Sequence, residues 1–239
     1  MRAGYAALLA IIGCTKAPVT WEPIQYTNVP QQPLDAIATA PSGNACPASV
    51  RSTTLNNIRY SVWWETRPDS SAILYASRDS SIAIADSTDH STSGCGRPGP
   101  AIAADPSTGY VHLAYYAEPK TGAGVFFVHS MDSAKTFHSP VAIVFGRNPA
   151  GVSVASSGDR VVVAYEDPNS SQSTIGLGLS STMGHIFEKR VTASGANGIA
   201  KQPVVRLNDD LIQVWWSEYS PNPTVSATRP RYRQGRWAK

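Results

Sequence analysis

The sequence predicts an all-β fold, a β-propeller whose blades have about 50 residues and four strands each. Three observations support this prediction. Four segments repeat the same order of apolar strands and polar turns, aromatic residues recur in phase with the repeat, and Gly, Pro, Ser and Thr are frequent between the strands. Repeats of this length with several short strands are typical of propeller blades, and the chain lacks the pattern of helical repeats. A β-sandwich with accidental repeats is the alternative.

Each unit begins with a short apolar strand led by proline. These first strands start at Pro47, Pro100, Pro149 and Pro203. After a polar turn comes a strongly β-prone second strand with aromatic residues near its end. The second strands are YSVWWE (60–65), YVHLAYYAE (110–118), RVVVAYED (160–167) and LIQVWWSE (211–218). Their residues Trp64, Tyr115, Tyr165 and Trp216 align at intervals of 51, 50 and 51 residues.

A third strand follows in each unit and is weakest in the last. These strands are AILYAS (72–77), GVFFVHS (124–130), TIGLGLS (174–180) and TVSA (224–227). The segment VTWEPIQYT (19–27) is expected either to supply an outer strand that closes the ring with the C-terminal unit, or to be a remnant of a fifth blade. We expect residues 14–44 to be a linker or closing strand and residues 45–239 to be the propeller domain. A four- or five-bladed ring, an incomplete chain and an open array that pairs with another copy all satisfy the pattern.

The first residues resemble a bacterial lipoprotein signal. Arg2 is followed by the apolar stretch AALLAII (6–12), which runs into Gly13 and Cys14. This stretch is too short to span a membrane as a helix. The resemblance implies that residues 1–13 are removed, that Cys14 is acylated, and that the protein is anchored to the bacterial cell envelope. An ordinary secretory signal or a first strand is the alternative.

Two other cysteines, Cys46 and Cys95, complete the set. In an exported protein such a pair is most simply one disulfide. A metal pair is the weaker interpretation, because no CxxC or HxxxH spacing accompanies them. The histidines are scattered along the sequence, at positions 90, 112, 129, 138 and 185. We therefore predict no metal site and no cofactor.

The ends of the third strands carry a degenerate motif, S-x-D-x-G-x-T-[FW]. The best copy has Ala134 at the glycine position and matches elsewhere, at Ser130, Asp132, Thr136 and Phe137. The other copies keep Ser180, Gly184 and Phe187, or only Ser77 and Asp79. These copies resemble the Asp box of sialidase-like propellers, and the similarity to that superfamily covers residues 45–190 well. The aspartate of such a turn accepts hydrogen bonds from the turn's own amides, so Asp132 is expected to be structural and not catalytic.

The resemblance implies that the loops after the second strands and between the blades share one functional face. Acids at the same place in each repeat are expected there, namely Glu65, Glu118, Glu166 and Glu218. The expected ligand-binding residues are Trp64, Tyr116, Trp216, Arg51, Arg97, Arg147 and Arg206. Such a set favours a glycan or anionic-ligand pocket, because guanidinium groups bind carboxylates in a bidentate manner and aromatic faces pack on sugar rings. The alternative is that the acids cap hairpins and the aromatic side chains form the core between blades.

We predict that the protein binds a glycan or a protein partner at the cell envelope. A glycoside hydrolase of the exo-sialidase type is the second hypothesis, with Glu65, Glu166 and Glu218 as candidate carboxylates, and a non-catalytic scaffold is the third. The sialidase resemblance calls for an arginine triad, an acid/base Asp, a Tyr–Glu nucleophile and an Arg-Ile-Pro motif, and the sequence lacks that tripeptide.

The charge of the chain gives no indication of nucleic-acid binding, since its net value is only +3. The basic charge is concentrated at the C-terminus, where residues 229–239 contain five positive charges and no acid. This segment is predicted to contact an anionic envelope surface, or to be a last strand with solvated arginines around Trp237.

Overall fold

The chain folds into four antiparallel sheets, and each sheet is one blade of a propeller. The computed structural model describes residues 17–27, 36–37, 42–69, 71–91, 94–195, 198–220 and 228–238. The proposed signal and Cys14 lie outside these residues. In the described part of the chain, no helix is long and apolar enough to cross a membrane. The prediction of an all-β propeller with four visible blades is confirmed.

The strands follow the repeat. The N-terminal strands are β1 (Val19–Trp21) and β2 (Gln25–Tyr26). Blade 1 contains β3 (Ala36–Ile37), β4 (Arg51–Leu55), β5 (Ile58–Thr66), β6 (Ala72–Arg78) and β7 (Ser81–Asp86). Blade 2 contains β8 (Ala101–Ala104), β9 (Val111–Ala117), β10 (Gly124–Ser130) and β11 (Val141–Phe145). Blade 3 contains β12 (Val152–Ser157), β13 (Arg160–Glu166), β14 (Ile175–Ser180) and β15 (Lys189–Thr192). Blade 4 contains β16 (Ile199–Asn208), β17 (Leu211–Tyr219) and β18 (Thr228–Trp237).

The four predicted aromatic strands are β5, β9, β13 and β17, the second strand of each repeat. Each is hydrogen-bonded between the first and the third strand of its repeat. The aligned side chains Trp64, Tyr115, Tyr165 and Trp216 are all buried. Trp64 of blade 1 meets Tyr115 of blade 2 edge to face, with ring centroids 5.6 Å apart. The recurring aromatic position therefore packs one blade against the next.

Three hydrophobic clusters lie between successive blades. Leu74 and Leu113 belong to the cluster between blades 1 and 2. Phe127 and Val163 belong to the cluster between blades 2 and 3, and Trp216 is the largest buried side chain between blades 3 and 4. Burial of one such side chain contributes about 1.5–3 kcal/mol, so these three interfaces hold the array of blades together.

The N-terminal segment supplies the outer strand of blade 4. Strand β1 pairs with β18 in antiparallel register, with Val19 opposite Trp237 and Trp21 opposite Gly235. A Cβ atom at Gly235 would lie 2.5 Å from the Trp21 ring, so glycine is needed for this close pairing. The third strand of the blade is β18, which contains most of the basic C-terminal segment, while the predicted strand at residues 224–227 lies outside the described residues.

The predicted disulfide between Cys46 and Cys95 is confirmed, with the two Cα atoms 5.0 Å apart. It joins the segment before β4 to the loop before β8, and so it links blades 1 and 2. The bridged positions are 49 residues apart, and closing a loop of this length stabilises the fold by about 4 kcal/mol in the chain-entropy model.

Candidate functional site

A cavity of about 460 Å³ lies among the first strands of the four repeats, at the starts of β4, β8 and β12 and at the register shift of β16 after Lys201, at one mouth of the propeller channel. We call it the channel-mouth cavity. It is lined by Arg51, Pro98, Gly99, Pro100, Gly151, Val152, Ser153, Glu166, Gln202, Pro203 and Val204. In blade 1, β3 pairs with β4 on its inner side. Pro98 and Pro100 precede β8, and Pro203 lies at the register shift of β16, so these prolines fit where the ladder needs no N–H from them. The cavity lies on the face where the site was expected.

Arg51 carries the positive charge of this cavity. It is the first residue of β4, and its Nη1 donates hydrogen bonds to the carbonyl oxygens of Ala48 and Val50, at 2.9 and 3.0 Å. Its Nη2 lies against Gly99, where a Cβ atom would approach to 2.9 Å. The guanidinium is thus fixed in orientation by the backbone, and it remains half-buried at the cavity wall.

Glu166 lines the same cavity from the end of β13. One carboxylate oxygen accepts a hydrogen bond from Lys201 Nζ at 3.0 Å, and the other accepts one from the amide of Gln202 at 2.8 Å. The residue is 7% exposed and lies against Gly151, whose missing side chain leaves room for it. The carboxylate is therefore held between β12 and β16 by a cation and an amide.

The equivalent acids of the other blades are engaged within their own blades and do not line the cavity. Glu65 accepts a hydrogen bond from Trp63 Nε1 at 2.8 Å. Glu218 accepts one from Nε of Arg231 at 3.0 Å. These acids share a position in the repeat without meeting one another.

Tyr116 donates from its hydroxyl to Glu118 at 3.2 Å and to the carbonyl oxygen of Arg147 at 2.8 Å. Burial and the nearby Glu118 carboxylate raise the pKa of Tyr116 to about 12. The phenol therefore stays protonated at neutral pH and acts as a hydrogen-bond donor. This environment disfavours the phenolate form of Tyr116.

The predicted arginines are dispersed. Arg97 is buried, forms an ion pair with the buried Asp89, and lies over the Trp64 ring, 5.3 Å from its centroid. Arg147 is exposed. Arg206 lies over Trp215 and lines a separate cavity at the far end of the inner strands. Of the four predicted arginines, Arg51 is the one that lines the channel-mouth cavity.

The predicted sugar-stacking residues belong to the core. Trp64 and Trp216 are fully buried, and Tyr116 is 1% exposed, so their ring faces are covered by neighbouring blades. They are therefore not available to a ligand in the channel-mouth cavity. Its apolar surface comes instead from Pro98, Pro100 and Pro203, together with two valines.

The turn at residues 130–137 is held by its own polar side chains. Asp132 Oδ1 accepts hydrogen bonds from the amides of Lys135 and Thr136, at 3.1 and 2.9 Å, and from the Ser130 hydroxyl at 2.7 Å. Burial opposes ionisation, but the hydrogen bonds from Thr136, Ser130 and Lys135 lower the pKa of Asp132 to about 2. Ala134 adopts a φ of 64° at the glycine position. The Asp132 carboxylate thus holds its own turn together, which is a structural task. Phe137 packs at the edge of the core.

The turn at residues 180–187 uses the same scheme with different atoms. The Ser180 hydroxyl accepts from the amide of Gly184 at 3.0 Å, and the Thr182 hydroxyl accepts from the amide of Ile186 at 3.1 Å. Phe187 meets Phe127 edge to face, at 5.1 Å between centroids. Thr182 thus occupies the place of the missing aspartate.

The first copy differs, because β6 and β7 are joined by a two-residue turn. Asp79 has a φ of 48° there, and its carboxylate accepts a hydrogen bond from the amide of Arg59 at 3.1 Å. Ser77 is buried in β6. This turn is a tight hairpin, without the longer loop of the other two copies.

The partners that hold the predicted residues were not identified from the sequence. Asp89 pairs with Arg97, and Lys201 pairs with Glu166 from 35 residues away. Asp89 stands in a polar loop with no motif around it. The position of Lys201 on the first strand of the repeat after that of Glu166 is the feature that could have indicated the pair.

No protein-family model matches the chain, and no curated protein sequence does. Among solved structures, it is similar to an exo-1,5-α-L-arabinanase from a bovine ruminal metagenomic library, at 12% identity over 81% of this chain and 78% of that one, with a TM-score of 0.47. It is also similar to the intramolecular trans-sialidase from Ruminococcus gnavus, at 10% identity over 77% and 42% of the two chains and a TM-score of 0.49. It is similar as well to the neuraminidase-like protein of A/flat-faced bat/Peru, at 12% identity over 79% of this chain and 60% of that one, with a TM-score of 0.48.

The chain spans less than two thirds of the trans-sialidase and of the neuraminidase-like protein. The class of the protein follows from its own blades and cavity. It is a four-bladed β-propeller with a cavity at one mouth of its channel, lined by Arg51, Glu166 and several apolar residues.

Proposed function

We propose that the protein binds an acidic glycan in the channel-mouth cavity. The observation that carries this proposal is the fixed guanidinium of Arg51 at the wall of a cavity of about 460 Å³. This volume lies in the range of roughly 300–1,000 Å³ that is usual for small-molecule sites. A guanidinium held by backbone carbonyls presents its remaining N–H groups in a fixed direction, which suits the carboxylate of an acidic sugar.

The other cavity residues fit a saccharide. Gln202 offers an amide at the rim, and the three prolines offer apolar surface for the faces of a sugar ring. Glu166 forms an ion pair with Lys201, which offsets its repulsion of an anionic ligand. The alternative ligand is a protein partner, which would place an acidic side chain against the same cavity residues.

Binding is tested by titrating a panel of uronic-acid and sialic-acid oligosaccharides into the purified chain in a calorimeter. Arg51→Gln is expected to weaken binding by about ten- to a hundredfold, because a hydrogen bond to a charged group contributes about 1.5–3 kcal/mol. Arg59→Gln is the matched control, since Arg59 is exposed at the opposite end of its blade. Equal affinities of the two variants would contradict the proposal.

A glycoside hydrolase of the sialidase type is the second candidate, because the Glu166 carboxylate lines the same cavity. We expect fluorogenic sialosides to be bound without release of the fluorophore, since both oxygens of Glu166 are occupied by Lys201 and Gln202. Release above background that is abolished by Glu166→Gln would establish the hydrolase. A protein that binds no glycan but retains a partner in pull-down would be the scaffold.

The turns at 130–137 and 180–187 are proposed to be degenerate Asp boxes of the sialidase-like superfamily. The supporting observation is that the serine at the first position of each turn accepts the amide four residues on. On this proposal the side chains of Asp132 and Thr182 are structural equivalents. Thr182→Asp should therefore be tolerated, with an unfolding midpoint equal to or above that of the wild type.

We also propose that the protein is exported and anchored through acylation of Cys14. The disulfide between Cys46 and Cys95 supports export, because such bonds persist in oxidising compartments. Metabolic labelling with a fatty-acid analogue in a bacterial host is expected to mark the wild type and not Cys14→Ser. Labelling of both forms would contradict acylation at this residue.

A further inference from the structure

Three histidines that are scattered in the sequence meet in the structure. His129, His138 and His185 each place a ring nitrogen so that these atoms all lie within 4.8 Å of one another. We call this group the histidine cluster. The sequence alone predicted no metal site, since 47 residues separate His138 from His185. The cluster lies at the ends of the third strands, on the face opposite the channel-mouth cavity.

Two neighbouring turns build the cluster. His129 lies near the end of β10, and its carbonyl oxygen accepts the amide of His138 at 3.0 Å, so the turn at 130–137 returns the chain beside it. His185 comes from the turn of blade 3. The preceding residue, Gly184, has a φ of 91°, and a side chain there would overlap the ring of Phe127 in blade 2. The glycine therefore brings the two turns into contact.

His129 is a buried imidazole with an unpaired nitrogen. It is 1% exposed, and its Nε2 has no hydrogen-bond partner in the described part of the chain. A buried polar atom without a partner is costly and uncommon in folded proteins. The unpaired Nε2 of His129 is therefore available to a ligand bound by the cluster.

The spacing is close to that of a metal site. One nitrogen of each ring lies within 4.8 Å of the other two, and the His138 ring stacks on that of His129 with centroids 4.4 Å apart, so it has to turn to direct its nitrogen at a shared ion. Zinc binds imidazole nitrogen at about 2.0–2.1 Å, so two ligands of a tetrahedral site lie about 3.4 Å apart. The two exposed histidines can reach that distance by rotating their side chains, while His129 stays fixed in the core.

We propose that the histidine cluster binds Zn²⁺ through three imidazoles, with water as the fourth ligand, and so joins blades 2 and 3. The ligand set selects this class of ion. Imidazole suits zinc and its neighbours in the transition series, whereas Ca²⁺ and Mg²⁺ take oxygen ligands. Because His138 and His185 belong to different blades, the ion would connect the two turns directly.

The test uses the full 239-residue chain, purified through a tag without histidine and stripped with EDTA. Calorimetric titration with ZnCl₂ is expected to show one site. His138→Gln and His185→Gln should each weaken the affinity by about tenfold or more, comparable to the loss when the shell of a zinc site is disturbed. His90→Gln is the matched control, since His90 is exposed and outside the cluster, and its affinity should remain that of the wild type.

Two further measurements keep the proposal open to refutation if a variant folds poorly. Co²⁺ bound to the wild type should give the visible absorption of a four-coordinate site, and Zn²⁺ should remove it. Zinc should also protect His138 and His185 of the wild type from carbethoxylation, leaving His90 reactive. Zinc binding of equal strength in all three variants, or no protection of the cluster at millimolar zinc, would overturn the proposal.

Discussion

Asp89 occupies a buried position where one carboxylate holds several groups of the loop between blades 1 and 2. It forms an ion pair with Arg97, whose side chain is 2% exposed. The same carboxylate accepts hydrogen bonds from the amide of Ser91 at 2.7 Å and from the amide of Glu118 at 3.1 Å. The substitution Asp89→Ala leaves the Arg97 charge and both amides without this acceptor.

The size of the effect follows from burial. Removing one partner of a buried ion pair costs about 3–5 kcal/mol, because the remaining charge is uncompensated. Domains of this kind have a free energy of unfolding of about 5–15 kcal/mol, so the loss is a large share of the total. At roughly 2–4 °C per kcal/mol for a chain of this size, the melting temperature should fall by about 6–20 °C.

The assay is thermal and urea unfolding, followed by tryptophan fluorescence under non-reducing conditions. Asp210→Ala is the matched control, because the Arg236–Asp210 pair is exposed, with side-chain exposures of 69% and 35%. An exposed pair contributes about 0–1 kcal/mol. The double variant Asp89→Leu/Arg97→Met should recover part of the loss, since it removes both charges together.

A free energy of unfolding for Asp89→Ala within about 1 kcal/mol of that of Asp210→Ala would refute the reasoning. It would mean that water reaches the Arg97 guanidinium in the folded state. A double variant less stable than Asp89→Ala would contradict the assignment of the cost to the unpaired charge.

Three further predictions concern the fold. Cys46→Ser should lower the free energy of unfolding by about 4 kcal/mol, and reducing agent should then have no additional effect on the urea midpoint. The pKa of Asp132, about 2, lies below its usual 3.8, so its stabilising effect is complete above pH 4 and is lost as the pH falls to 2. The difference in stability between wild type and Asp132→Asn, measured by urea unfolding, should therefore shrink over that range and remain constant above it. Gly184→Ala should cost about 1–3 kcal/mol more than Gly158→Ala in thermal unfolding, because both have positive φ but a Cβ at Gly184 would overlap the Phe127 ring, whereas one at Gly158 would be in ordinary contact with Ser107.

The repeat was predictable because it reports directly on packing. Tyr115, Tyr165 and Trp216 recur at about 50 residues since each packs against the preceding blade, while Trp64 packs against the following blade and meets Tyr115. Apolar and aromatic side chains in period with the strands leave a pattern in the sequence that does not depend on distant partners.

The last strand was harder to predict because its arginines make the segment look solvent-exposed and leave no clear alternation of apolar and polar residues. Strand β18 carries arginines whose stems and guanidinium groups cover aromatic rings. Arg231 lies 3.7 Å from the centroid of Tyr26, and Arg233 lies 5.0 Å from that of Trp21. Long basic side chains can cover apolar surface in this way, so a segment rich in arginine can still pair as a strand. The rings come from the N-terminus, which no local pattern connects to residue 231.

The face of the candidate site was expected from the resemblance to sialidase-like propellers, and the channel-mouth cavity lies on that face. Which side chains enter it depends on register and on partners from other blades, as with Glu166 and Lys201. The histidine cluster has the same origin, since its members come from two turns that only the packing of blades brings together.

The residues that repeat in every blade serve the folding of the blades, whereas the residues that line the cavity need not repeat. A side chain found at the same place in all four units answers a requirement that all blades share, and the aromatic residues indeed pack between blades while Glu65 and Glu218 accept hydrogen bonds within theirs. A ligand site in a ring of similar blades must instead break the symmetry, because its ligand has none. Arg51 does so, because it carries a charge, whereas the lining residues from β12 (Val152 and Ser153) and from β16 (Gln202, Pro203 and Val204) carry none. In a repeat protein the departure from the repeat is therefore the better guide to function, and it directs the first binding experiment to Arg51.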